Sequence, residues 1–149
     1  PMSIATRAMT REDRGAWETL FAQYAAFYKV TQTQEMRDIV YSWLMDPDHG
    51  SKCIVAENPK GTVIGFTHFR PFVSQLRAGT NCFLDDLFVD VEFRGSGAAQ
   101  ALIEAVKAEA TANGWGVVRW ITAEDNYRGR NVYDKLATRT PWVTYDIKL

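Results

Sequence analysis

Between Phe83 and Ile103 the chain reads strand, tight turn, helix, and no other stretch restricts the fold as much. Phe83-Leu84-Asp85-Asp86-Leu87-Phe88-Val89 is mostly apolar and β-prone, and Arg94-Gly95-Ser96-Gly97-Ala98-Ala99 is small and turn-prone. Beyond it, Ala99, Leu102, Ile103, Val106 and Ala110 recur on one face at the helical period. A turn of small residues that opens a helix presents several free backbone N–H groups in one direction. The helix dipole adds positive partial charge at the same place. Together they make an anion site, with Arg94 beside it for charge. Side chains at Gly95 and Gly97 would keep a diphosphate away from the backbone. Gly-x-Gly by itself also fits a plain tight turn. A P-loop needs Gly-Lys-Ser/Thr after its glycines, which is absent. The dinucleotide fingerprint needs Gly or Ala where Gln100 stands.

The rest of the chain supplies the elements around this turn. Ser3–Ala8 is a short strand candidate, and Thr10 with Asp13 resembles a capping box. The helix that follows carries Trp17, Leu20, Phe21, Tyr24 and Tyr28 on one face, and a second carries Met36, Ile39, Val40, Trp43 and Leu44. Strands are expected at Lys52–Glu57 and Thr62–Phe69, joined by Asn58-Pro59-Lys60-Gly61, with Pro71 ending the second. Thr80–Val89 is a further strand and Ser96–Ala112 a helix, stopped at Asn113-Gly114. Gly116–Thr122 reads as a strand, Asn126–Leu136 as a helix and Trp142–Ile147 as a last strand. The order β-α-α-β-β-β-α-β-α-β predicts an α/β (α+β) domain with a mixed, mostly antiparallel sheet flanked by helices.

No linker or repeat divides the 149 residues, so 1–149 is expected to form one domain. With 46% hydrophobic and 23% charged residues the composition is that of a soluble globular protein. A net charge of −1 argues against a nucleic-acid binder, which carries a basic excess. Cys53 and Cys82 sit in strand-like apolar runs and read as buried reduced thiols. His49 and His68 are isolated, with no metal-ligand spacing around them. No stretch approaches the ~20 apolar residues of a membrane span. No signal-peptide pattern opens the chain, and Pro1 before Met2 reads as an expression remnant, so a cytoplasmic location is expected.

The glycine turn resembles the cofactor motif of GNAT acetyltransferases, Gln/Arg-x-x-Gly-x-Gly/Ala, with Arg94, Gly97 and Ala99 in its fixed places. The strand ending Leu87-Phe88-Val89 is similar to the family strand that splays from its neighbour and pairs with the pantetheine arm. Downstream, Asn126, Gly129 and Tyr133 fall at the family's Asn-x-x-Ala-x-x-x-Tyr spacing, with Gly129 replacing the usual Ala. The two motifs are independent, and the likeness covers nearly the whole chain. It implies an acetyl-CoA-dependent N-acetyltransferase acting on a small primary amine or a protein lysine. Phe83–Val89, Trp120–Asn126 and the short tail further resemble the polyamine- and histone-acetylating branch. The alternatives are a GNAT-fold module that binds acyl-CoA without catalysis, or an unrelated nucleotide-binding enzyme.

Attack of an amine on a thioester needs the free base. At pH 7 an alkyl amine of pKa about 10.4 is free in only roughly one molecule in a few thousand. By resemblance to the polyamine enzymes, Asp85 is expected to be the base and Asp86 an amine-binding partner. The two point to opposite faces of a regular strand, so both face one substrate only if a bulge intervenes. Equally, they read as solvent-facing strand charges. The resemblance gives Tyr133 the role of acid for the leaving thiolate, with core packing as the other reading. A backbone N–H near Phe88 or Val89 is expected to hold the oxyanion. Arg94, Gly95, Ser96, Gly97, Ala98 and Ala99 would hold the pyrophosphate. Leu87, Phe88, Val89 and Asn126 would meet the pantetheine arm, Asn126 serving equally as a plain helix cap. Tyr24, Tyr28 or Tyr41 are candidates for the acceptor slot. The family usually follows its tyrosine helix with Gly-Phe and two more strands. Here Ala137-Thr138 stands instead, with chain for one strand, so a homodimer is expected to complete the sheet.

Overall fold

The computed structural model describes residues 3–149; Pro1, read above as a remnant, and Met2 lie outside them. A five-stranded sheet runs in the order β1 (Ala5–Ala8), β2 (Lys52–Glu57), β3 (Val63–Ser74), β4 (Gly79–Val89), β5 (Val118–Arg119). The first four strands are antiparallel to their neighbours, and β5 is parallel to β4. Helix α1 (Arg14–Phe27) covers one face with α2 (Gln34–Met45) beside it, and α3 (Ala98–Ala112) covers the other. Helix α4 (Tyr127–Leu136) turns Tyr133 and Leu136 onto the α3-side core. Among the described residues no helix is long and apolar enough to cross a membrane.

Each face of the sheet has its own core. Ile54, Phe69, Cys82, Leu84, Leu102 and Val106 are buried on the α3 side; Trp17, Phe21, Val55, Phe66 and Phe88 are buried on the α1 side. The helix starts are satisfied as the sequence suggests. Thr10 N donates to Asp13 Oδ2 at 2.8 Å, and Arg7 grips both Asp13 oxygens at 2.7 and 2.8 Å. That hydrogen bond from Arg7 holds the Asp13 carboxyl below the usual carboxylate range. Thr33 Oγ1 accepts from Met36 N at 3.1 Å at the head of α2. Helix α3 ends with Gly114 at φ +71° and a Trp115 N–H to Ala110 C=O bond of 2.9 Å.

Three expectations differ from the structure. Strand β3 does not stop at Pro71 but runs to Ser74. Pro71 pairs with Cys82, whose own N–H is spent on Val117 C=O across the other edge, so the ladder asks nothing of the proline nitrogen. Beyond Phe69 strand β2 has ended, which leaves that side of β3 open. Strand β5 is two residues rather than Gly116–Thr122, because β4 bends away from it past Phe83. Finally, Trp142–Ile147 forms no strand; residues 137–149 have no regular structure and are almost wholly exposed. The backbone of this run pairs with no strand among the described residues.

Candidate active site

The glycine turn has the local geometry that its residues suggest. Gly95 and Gly97 lie in the left-handed region at φ +78° and +89°, and a Cβ at either meets open space. Gly97 caps α3. Ser96 Oγ takes the N–H of Ala98 at 3.3 Å, whereas the amides of Gly97, Ala99 and Gln100 have no partner among the described residues. Arg94 is exposed, its guanidinium 5.9 Å from the Phe27 ring centre. Beside the turn, an open groove of about 510 Å³ runs between the end of α1 (Gln23, Ala26, Phe27) and the end of β4 (Phe88, Asp90). Free amides, a helix N-terminus and a cation at a groove suit the diphosphate of a CoA thioester.

Strand β4 opens next to this groove. It pairs with β5 only through Cys82 and Phe83, so from Leu84 onward that edge is free among the described residues. The Asp90 N–H is spent on Ile64 C=O at 2.8 Å, toward β3. By the two-residue alternation of a strand, the N–H groups of Val89 and Leu87 therefore face the opening. The backbone of Leu87–Val89 thus offers a ladder edge along the groove.

A bulge lies in the same strand. His68 pairs with Asp86 and Phe69 with Leu84, which leaves Asp85 as the extra residue. Leu84 packs on the α3 side and Phe88 on the α1 side, so the alternation inverts between them. Asp85 and Asp86 therefore face the same side, that of α1. Their surroundings differ. Asp86 Oδ1 accepts from the Tyr24 hydroxyl at 2.8 Å, and Oδ2 lies 2.8 Å from His68 Nδ1. Burial pushes the Asp86 carboxyl up, but the His68 hydrogen bond, helped by that of Tyr24, outweighs it and holds the pKa below the usual carboxylate range. Asp85 meets Arg70 Nε at 3.1 Å from each of its oxygens. There burial, aided by the charge of Asp86, outweighs Arg70 and raises the pKa.

Tyr133 on α4 packs against the α3-side core, its ring 5.5 Å from that of Trp120. Burial first, then the Tyr28 phenol, raises the Tyr133 pKa. Tyr24 is raised by burial, then by Asp86, Tyr28 and Tyr133, and its ring packs on that of Tyr28 with centres 5.0 Å apart. Tyr41 instead packs on Trp17 and under Arg14. Asn126 caps α4: Oδ1 accepts from Gly129 N at 3.2 Å, and Nδ2 donates to Thr122 Oγ1 at 2.9 Å. A Cβ at Gly129 would sit 2.5 Å from Asn126 Nδ2, so the Asn126 side chain would have to shift to admit the motif's alanine.

The structure thus brings Asp85, Asp86 and Tyr24 together on the α1 side of the sheet, with Tyr28 packed on Tyr24, while Tyr133 packs with Trp120 on the α3-side core and the Arg94–Ala99 turn leads into α3. Sequence reasoning left out three residues here. Arg70 holds Asp85, and His68 and Trp17 stand behind Asp86. The hairpin register could have found His68 and Arg70, since both lie across β3 from the acidic pair. Among the described residues no group of three His, Cys, Asp or Glu could hold a metal ion.

The profile of the Acetyltransferase (GNAT) family matches residues 17–137. The chain is 28% identical to the D-amino-acid N-acetyltransferase HPA3 of Saccharomyces cerevisiae, over 95% of this chain and 89% of that one. It is 30% identical to the uncharacterized N-acetyltransferase YhfO of Bacillus subtilis, over 87% of this chain and 85% of that one. The fold is also that of the aminoglycoside N-acetyltransferase AAC(6')-Iy solved in complex with CoA, at a TM-score of 0.84 and 22% identity, over 99% of this chain and 96% of that one. With the family profile spanning most of its length, this chain belongs to the acetyltransferase (GNAT) family and is an N-acetyltransferase.

Proposed function

We propose that the protein acetylates a small cationic primary amine, with Asp86 holding the ammonium form and Asp85 receiving its proton directly or through water. The observation that carries this reading is the bulge, which turns two carboxylates of opposite pKa shift onto one face. Environments that push a pair apart separate their roles. The depressed Asp86 stays an anion, and the raised Asp85 is the better proton acceptor. Acetyl-CoA supplies the activated acetyl group as its thioester when bound. The turn amides and Arg94 hold the diphosphate, and the β4 edge at Leu87–Val89 pairs with the arm. The Val89 N–H stabilises negative charge that develops on the carbonyl oxygen. Tyr133 gives its proton to the departing sulfur. The adjacent carboxylates favour a polyamine-type acceptor, while the named specificity of the yeast relative brings free amino acids into the test.

The test is an amine panel of polyamines, L- and D-amino acids and lysine peptides with acetyl-CoA, read by thiol release. Asp85→Asn is expected to slow the reaction about tenfold near pH 7 and to recover toward pH 10, where the amine loses its proton unaided. In the wild type the rate falls as pH drops through the raised pKa of Asp85, because the base must be ionised. Asp86→Asn is expected to raise KM for the amine about tenfold at every pH. A pH-independent loss in Asp85→Asn would give Asp85 a binding role, and recovery at high pH in Asp86→Asn alone would exchange the two roles. No thiol release with any amine would favour a binding module.

Two copies are expected to associate through the tail. Trp142, Val143, Tyr145 and Ile147 are each more than two-thirds exposed, an apolar, β-prone run. Near the outer side of β5, exposed Val117 and Ile121 adjoin a groove of about 250 Å³ lined by Ile103, Trp115, Trp120 and Leu136. A loose strand and an open edge complement one another between copies. Deleting Pro141–Leu149 should convert a dimer into a monomer in light scattering. A full-length protein that is monomeric at micromolar concentration, with and without acetyl-CoA, refutes the association.

A further inference from the structure

Behind Asp86 lies a polar chain that the proposed reaction leaves unused. Trp17 is fully buried, and its indole Nε1 lies 2.9 Å from Nε2 of His68. The other ring nitrogen, Nδ1, lies 2.8 Å from Asp86 Oδ2. An indole N–H only donates. Nε2 of His68 therefore accepts, and the single ring proton sits on Nδ1, from which it is donated to Asp86. The imidazole is 4% exposed, with Phe66 and Phe21 ring centres at 4.8 and 4.9 Å. A second proton on this ring would have to displace the indole from Nε2.

We infer that Trp17 fixes the tautomer of His68, and that His68 is thereby a positioning residue that keeps Asp86 anionic and turned toward the acceptor ammonium. This rests on the reading of Asp86 as the ammonium-holding group. The arrangement is not a proton wire. A proton reaching Asp86 cannot pass on through His68, because Nδ1 is already protonated and Nε2 is covered by the indole. Acceptor protons leave by Asp85 or water instead. Without the indole, Nε2 is uncovered and the imidazole is open to a second proton there. A cation would then stand against Asp86 and compete with the substrate's own positive charge.

The titratable and charged groups facing this chain are Tyr24 on α1, Tyr28 just past its end, Tyr41 on α2, Cys53 on β2, Arg70 on β3, Asp85 on β4 and Tyr133 on α4, with Asp13 ahead of α1. Of these, Asp85 has a raised pKa and titrates in wild type and variants alike. Effects are therefore read as ratios to wild type at each pH.

The first readout needs no substrate. In protein labelled with ¹⁵N-histidine, with His68→Asn used to assign the two histidines, His68 should show a protonated Nδ1 and an unprotonated Nε2 from pH 5.5 to 8. In Trp17→Phe it should titrate. A wild-type Nε2–H tautomer, or wild-type titration in that range, overturns the inference. The second readout is KM for the panel amine of highest turnover. Trp17→Phe should raise it about tenfold at pH 5.5 and less than twofold at pH 8. His68→Leu, which removes the donor, should raise it about tenfold throughout. His68→Asn, whose amide can replace Nδ1–H, should stay within about threefold. A packing role would lower thermal stability without these patterns. Where Trp17→Phe fails to fold, the two His68 variants decide, and equal KM values for Leu and Asn overturn the inference. An unchanged KM in Asp86→Asn refutes the ammonium site instead and leaves the tautomer result standing.

Discussion

Tyr133→Phe is expected to lower turnover by at least about 100-fold, the lower end for a lost general acid, while acetyl-CoA binds within about twofold of wild type. The phenyl ring retains the packing on Trp120, and the hydroxyl has no hydrogen-bond partner among the described residues, so little structure is lost with it. Burial and Tyr28 raise the phenol's pKa, which keeps its proton in place at neutral pH. An acid that acts only as the sulfur departs contributes to the transition state and not to the ground state. Turnover by thiol release and affinity by calorimetry separate the two. Wild-type turnover in the variant would leave Tyr133 as a packing residue.

Gly97→Val should raise the Kd for acetyl-CoA about ten- to a hundred-fold, the equivalent of one or more lost bonds to a charged group. Fold damage should be small. A β-branched residue at φ +89° costs roughly 1–2 kcal/mol in strain, but its side chain enters open space at the start of α3 and displaces nothing. For a domain of this size that is a loss of some 4–8 °C in Tm at most. Gly97→Ala carries similar strain with less bulk and should bind more tightly than the valine variant. Normal affinity in a folded Gly97→Val protein would move the diphosphate away from this turn.

What could be read without coordinates was whatever depends on local period and local turns. The apolar faces of α1 and α3, the Asn58–Gly61 hairpin and the glycine turn all follow from neighbours within a few residues, whereas on α2 Met36, Ile39 and Trp43 of the expected face are exposed and only Val40 and Leu44 pack on the core. Features set by partners distant in the chain were harder. Pro71 reads as a strand end, yet it is tolerated because Cys82 directs its N–H to Val117. Gly116–Thr122 has the composition of a full strand, and only the bending of β4 at Asp85 shortens it to Val118–Arg119. The Trp142–Ile147 run has strand chemistry but pairs with no strand among the described residues. At the site, Asp85, Asp86 and Tyr133 were found through motif likeness, whereas Arg70, His68 and Trp17 required the β3–β4 register and the seating of α1. An isolated histidine and a helix-face tryptophan look like core until their ring nitrogens are seen 2.9 Å apart.

The extra residue in β4 also bears on how such a site could change over generations. Removing the single codon for Asp85 would restore unbroken alternation, with Phe83, Asp86 and Phe88 on the α1 side and Leu84, Leu87 and Val89 on the α3 side, as they are now. Every core side chain would keep its face. The second carboxylate is in that sense a detachable addition. A lineage could gain or lose it by one in-frame insertion or deletion, and so alter its amine chemistry, without first evolving a new core to tolerate the change.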